Sequence, residues 1–241
     1  ATFNYDKLRE HVRLAQRIMD DIIDLELEKI ELIMQKIESD PESEEVKGAE
    51  KHLWEKIYHK SRYGRRTGVG ITAEGDMIAA MGLKYGTPEA TYFSADIHKI
   101  VAVEAYRSSV QMAKERGAFA IYDAEREKNN PFVNRIKSVD PALYDEMVKY
   151  GRRNIACLTI APTGTTSLMT QTTSGIEPVF LPVHKRRRKV NPNDTNVHVD
   201  FVDESGDSFE EYIVYHPKFL TWMEVNNYDT SKNYTQEEID E

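Results

Sequence analysis

The residues best suited to do chemistry are Thr163, Gly164, Thr165, Thr166 and Ser167, which follow Pro162 in the stretch Ala161-Pro162-Thr163-Gly164-Thr165-Thr166-Ser167. Proline fixes one backbone angle, glycine admits conformations other residues avoid, and the hydroxyls stand where a helix would begin. A helix start leaves main-chain N–H groups without partners and carries the positive end of the helix dipole. An anion fits there, most naturally a phosphate. The loop has no lysine of the P-loop kind, so it is not a Walker motif. The same turn and cap also serve folds that hold no ligand.

Other candidates are read more plainly. Arg62, Arg65 and Arg66 precede Gly68 and Gly70, so this segment could present paired donors to phosphate, or could be a tight turn whose arginines hold carboxylates. Asp20, Asp21, Asp24, Glu28 and Glu31 form an acidic cluster; with no histidine or second carboxylate helix beside it, it reads as a solvated or cap-pairing face and is assigned no metal. The run Lys185-Arg186-Arg187-Arg188-Lys189 lacks interleaved aromatics, which favours salt bridges over nucleic acid. His98 has no histidine at i+4 and is not read as a ligand. Cys157 is the only cysteine and stands in an apolar run, where an unreactive buried thiol is expected.

The elements that must carry these residues follow from periodicity. The apolar, partly β-branched run 155–160 predicts a buried strand feeding the Pro-Thr-Gly turn. Residues 4–37 read as one long amphipathic helix, with Leu8, Val12, Ala15, Met19, Ile22, Ile23, Ile30, Ile33 and Ile37 on its inner side. An acidic, proline-broken loop over 39–45 precedes a second helix at 49–63 with Leu53, Trp54, Ile57 and Tyr58 buried. A short helix spans 73–83, and a long one spans 88–116 and is closed by Gly117. Residues 121–138 read as loop and turns, 141–152 as a further helix. Strand-like pieces follow at 179–183, 196–202 and 212–215, with a helix at 217–225 and a helix start at 236–241.

At 241 residues the chain is long enough to bury a core. Its formal net charge of -9 argues against a general nucleic-acid binder. No run of about 18 apolar residues exists to span a membrane, no leader is visible, and a single cysteine suits a reducing cytoplasm.

Read as text, APTGTTS followed by TSGIEPVF resembles the barrel of ribonucleotide reductase large chains, where an APTGSIS-type loop leads to an SSGIEP-type segment. Arg65-Arg66-Thr67-Gly68-Val69-Gly70-Ile71-Thr72, Gly75-Asp76-Met77, Lys114-Glu115-Arg116-Gly117-Ala118-Phe119 and Arg186-Arg187-Arg188-Lys189-Val190-Asn191-Pro192 agree with it in order and spacing. The wording is most similar to the adenosylcobalamin-dependent, class II branch; a metal-radical branch with a small partner subunit is the variant. The resemblance implies an α/β fold, helix-rich, forming part of a ten-stranded barrel. It implies residues 1–192 as the C-terminal part of that barrel and 193–241 as the start of a β/α extension.

It further implies reduction of a ribonucleoside diphosphate or triphosphate by radical chemistry. The reaction uses adenosylcobalamin, a thioredoxin-type reductant and the remainder of the catalytic chain, with a homodimer as one assembly. Thr163, Gly164, Thr165, Thr166 and Ser167 match the loop that holds the substrate diphosphate. Thr165-Thr166 replace Ser-Ile, so backbone roles carry over more firmly than side-chain ones. The family's radical cysteine lies in an Asn-x-Cys-x-Glu pattern that the surroundings of Cys157 do not fit. No catalytic residue is therefore assigned, and the chain alone is expected to be catalytically silent. Two other readings stand beside this one: a non-catalytic phosphate-binding module of the same partial fold, and an interaction protein dominated by its long helices.

Overall fold

A computed structural model describes residues 2–191, 193–232, Tyr234 and Glu238. The helix start read at 236–241 lies, Glu238 apart, outside them. The chain divides into two compact units, one of residues 1–71 with 86–161, the other of 72–85 with 162–241.

The first unit is helical. Helix α1 (Tyr5–Ser39) starts at Asn4, whose side chain accepts from the Lys7 amide, and α2 (Glu44–Gly64) returns beside it. The second helix begins five residues earlier than periodicity suggested. Ser43 caps the Val46 amide, and Glu44 and Glu45 then favour the positive end of the dipole. Leu53, expected inside, is exposed.

After α3 (Glu74–Ala80), which belongs to the second unit, comes α4 (Pro88–Arg116). It runs from Pro88 at its first turn to Gly117, whose φ of 85° closes it. Residues 121–138, read as turns, contain α5 (Ala124–Glu127) and α6 (Pro131–Val139). Asn130 before Pro131 accepts from the Phe132 and Val133 amides, a cap-plus-proline start that periodicity over a short window did not register. With α7 (Pro141–Tyr150) these helices enclose a core of Val12, Val101, Ala105, Val110, Leu143 and Met147.

The expected strand at 155–160 forms only a single parallel bridge, Val69 with Leu158. Around that bridge the Thr67 and Val69 amides donate to Ala156 and Cys157 at 2.9 and 2.8 Å, and Thr159 donates back to Val69 at 3.1 Å. These two segments pair with each other through too few bonds for a regular ladder. The approach is close: a Cβ on Gly70 would lie 2.3 Å from the Thr159 carbonyl oxygen.

The second unit contains α3, α8 (Gly164–Thr170), strands β1 (Val183–Lys189), β2 (Phe201–Val202) and β3 (Ser208–Tyr215), and α9 (Pro217–Val225). The antiparallel sheet has the order β1-β3-β2. Its register sets Arg187 opposite Glu211 and Arg188 opposite Glu210. The strand read over 179–183 begins only at Val183, so the basic run is itself the strand. The boundary expected at residue 192 falls between the paired strands β1 and β3. The helix-rich α/β composition matches the expected fold class, with only part of a barrel present.

Candidate functional site: a threonine-rich loop and its supports

The loop starts at Thr163, the residue before α8, with φ −88° and ψ 47°. Its hydroxyl donates to the Ser174 carbonyl and lies 3.0 Å from Thr72 Oγ1. Thr72 Oγ1 in turn donates to the carbonyls of Ser174 at 2.6 Å and Thr173 at 3.0 Å. Ser167, buried, donates its hydroxyl to the Gly164 carbonyl at 2.7 Å. The hydroxyls of Thr163 and Ser167 therefore shape the loop and are not offered to a ligand.

The opposite holds between them. Gly164, Thr165 and Thr166 are exposed, no side chain caps the first turn of α8, and the first amide to find a carbonyl is that of Ser167, on Thr163 at 2.9 Å. Among the described residues the amides of Gly164, Thr165 and Thr166 meet no acceptor. Three consecutive donors with two exposed threonine hydroxyls make a set that suits anionic oxygens.

Residues 72–76 and 173–178 hold this loop from behind. The Ala73 and Glu74 amides donate to the carbonyls of Thr173 and Gly175 at 3.2 and 3.3 Å, and Asp76 Oδ2 accepts from the Thr173 amide at 2.9 Å. Gly75 is required by contact: a Cβ there would sit 2.4 Å from Pro178 Cα. Glu177 turns back on its own segment. Its own amide, then the Ser174 hydroxyl, hold its carboxyl below the usual range. The motif Gly75-Asp76 is thus brought to the loop that sequence reasoning singled out. Thr72, Thr173 and His216 were not singled out as site residues, and for His216 no local pattern exists that could have found it.

Other candidates are used elsewhere. Arg65, weighed as a phosphate donor, is buried in the first unit, where it donates to Asp20 at 2.8 Å and Asp24 at 2.7 Å. Asp20, expected on a solvated face, is fully buried and also accepts from Asn154 at 2.8 Å and Arg153 at 3.3 Å. Burial pushes its carboxyl up, but Arg65, Asn154 and Arg153 outweigh burial and leave it below the usual range. The oxygens of Asp20, Asp21 and Asp24 lie within 4.8 Å of one another, yet guanidinium groups already neutralise them. Lys185 and Arg187 pair with Glu211, Arg188 with Glu210 and Lys189 with Asp207, so four of the five cations of the run 185–189 are matched by acids on β3 or just before it. Cys157 is fully buried, and burial pushes its thiol up to about 12. Among the described residues no helix is long and apolar enough to cross a membrane.

Comparison with known proteins gives a consistent picture. A family profile described as "Ribonucleotide reductase, barrel domain" matches residues 1–239. A vitamin B12-dependent ribonucleoside-diphosphate reductase of Thermoplasma acidophilum is 30% identical over 73% of this chain and 18% of its own length. Its counterpart in Mycobacterium tuberculosis is 26% identical over 73% of this chain and 19% of its own. A ribonucleoside-diphosphate reductase subunit alpha of Chlamydia pneumoniae is 27% identical, again over 73% of this chain and 16% of its own length. The matched stretch thus spans less than a fifth of each relative.

Proposed function

The chain belongs to the ribonucleotide reductase barrel family, and from that premise we propose that it holds the diphosphate of a ribonucleoside diphosphate while the complete protein removes the 2′-hydroxyl by radical chemistry. The observation that carries this reading is the set of three consecutive exposed amides at Gly164, Thr165 and Thr166. In this role the amides and the Thr165 and Thr166 hydroxyls bind phosphate oxygens. Thr163 and Ser167 keep the loop in shape, so that the ribose is fixed relative to the reacting centre. The contribution is orientation; no proton or electron passes through these residues.

Cys157 is not assigned as the radical carrier, because it is fully buried in the core and offers a substrate no access. The radical cysteine and the reducing pair are contributed by the remainder of the catalytic chain. Adenosylcobalamin, by analogy with the relatives named for vitamin B12, supplies the radical chemistry when bound. The amide and hydroxyl set at Thr163–Ser167 fits phosphate oxygens and not a corrin ring, so no residue of this chain is assigned to that cofactor and no step is derived through it. A thioredoxin-type reductant, a homodimer and a cytoplasmic location complete the proposal.

The test is a titration of the chain with a ribonucleoside diphosphate and with the free nucleoside. Binding of the diphosphate and not of the nucleoside is expected, and equal or absent binding of both would overturn the reading. Deoxyribonucleotide should form only when the remaining catalytic sequence, adenosylcobalamin and a dithiol are also present. Its absence in that complete mixture would favour the non-catalytic phosphate-binding module.

A further inference from the structure

The supports behind the loop converge on one carboxylate. Asp76 on α3 accepts the Thr173 amide on Oδ2 at 2.9 Å, and His216, the residue before α9, points Nε2 at the same oxygen from 3.9 Å. Both side chains of that pair are 14% exposed. Thr173 is 7% exposed, and its Oγ1 and His216 Nε2 are buried with no hydrogen-bond partner among the described residues. Burying such groups is costly, and two of them beside one carboxylate mark a place arranged for something other than packing alone. From Thr173 the connection runs onward. Its carbonyl and that of Ser174 accept the Thr72 hydroxyl, and the Ser174 carbonyl also accepts Thr163, which opens α8.

We propose that Asp76 is a positioning residue for the anion-holding loop, acting through Thr173 and Ser174, with His216 acting on Asp76. The carboxylate fixes the Thr173 amide, which orients the two carbonyls that hold Thr72 and Thr163. Through Thr163 this sets where the amides of Gly164, Thr165 and Thr166 point. The claim rests on the reading of those amides as a phosphate site, and it names residues that the motif itself does not contain.

Two measurements on the 241-residue chain separate this inference from that reading. The first is calorimetric titration with inorganic pyrophosphate. Asp76→Ala removes a charge-assisted hydrogen bond and should weaken binding about tenfold, while Asp76→Asn, whose amide oxygen still accepts from Thr173, should stay within about threefold of the parent. His216→Ala should weaken binding about twofold to threefold in the parent and not at all beside Asp76→Ala, because it acts only through that carboxylate. Parent-like binding by Asp76→Ala overturns the proposal; no binding by the parent overturns the phosphate reading instead.

The second measurement is independent of any ligand. Amide hydrogen exchange at Thr173 and at Ser167, which bonds to the Thr163 carbonyl, should accelerate in Asp76→Ala and recover in Asp76→Asn, with protection in α4 unchanged as evidence of folding. Faster exchange at Thr173 with Ser167 unmoved would show that Asp76 does not reach the loop.

Discussion

Removing the Asp20 carboxylate tests whether the first unit is held by charge as well as by its apolar core. Asp20 Oδ1 accepts from Arg65 Nε and Asn154 Nδ2, each at 2.8 Å, and Oδ2 accepts from Arg153 at 3.3 Å and Arg116 at 3.4 Å. Breaking a buried ion pair by deleting one partner costs about 3–5 kcal/mol, chiefly because the other charge stays buried without compensation. Here Arg65, 4% exposed, keeps Asp24 at 2.7 Å and the Asp20 carbonyl at 2.9 Å, which points to the lower end, ~3 kcal/mol. Urea unfolding followed by Trp54 fluorescence in a Trp222→Phe background reads this unit, and Asp20→Ala should lower its midpoint by roughly 1–2 M. The neighbouring Asp21→Ala, whose exposed carboxylate pairs with Arg116 at 2.6 Å, should cost no more than about 1 kcal/mol.

The pH dependence supplies the sign. The folded-state carboxyl of Asp20 is depressed below its unfolded value, so its stabilisation is fully present above about 4, the ordinary carboxylate range, and is lost as pH falls through and below it. The stability gap between the parent and Asp20→Asn should therefore be full at neutral pH and narrow below about pH 4. A loss under about 1 kcal/mol for Asp20→Ala, or a gap that does not change with acid, would refute the argument.

Cys157 should be unreactive toward a disulfide reagent in the native chain and react at once in denaturant; rapid native reaction would contradict a fully buried thiol pushed up to about 12. Gly75→Ala forces a Cβ to within 2.4 Å of Pro178 Cα, so either α3 or residues 177–178 must shift, and pyrophosphate affinity should fall severalfold, measured by the same calorimetry. Thr166→Ala removes an exposed hydroxyl but leaves its amide, so affinity should fall only about twofold to fivefold; complete loss would mean that the side chain, and not the backbone, makes the site.

How much of this was legible in sequence depended on whether the deciding interaction was local. Helix α4 was read to both its ends because proline at the first turn and glycine after the last are signals within the element itself. The early start of α2 was equally local, yet Ser43 and the two glutamates after it stood in an acidic stretch whose composition reads as loop. The loop residues 163–167 were singled out because the proline before them, a glycine and four hydroxyls are visible as text. Their division into structural Thr163 and Ser167 and exposed Thr165 and Thr166 was not, since it depends on the carbonyls of Ser174 and Gly164.

Asp20 was misread for the same physical reason in stronger form. On the helix it is one carboxylate among several at regular spacing, and nothing within α1 distinguishes the one that faces inward. Its neutralising partners Arg65, Arg116 and Arg153 are 45, 96 and 133 residues away in the chain. A charge can be buried only where the fold gathers opposite charges around it, so periodicity that sorts apolar from polar will always assign such a residue to solvent. The basic strand β1 is the converse case, a run of cations whose composition favoured salt bridges without naming their partners. An antiparallel register sets Lys185, Arg187 and Arg188 against Glu210 and Glu211 of β3, and that register is fixed only when the two strands meet.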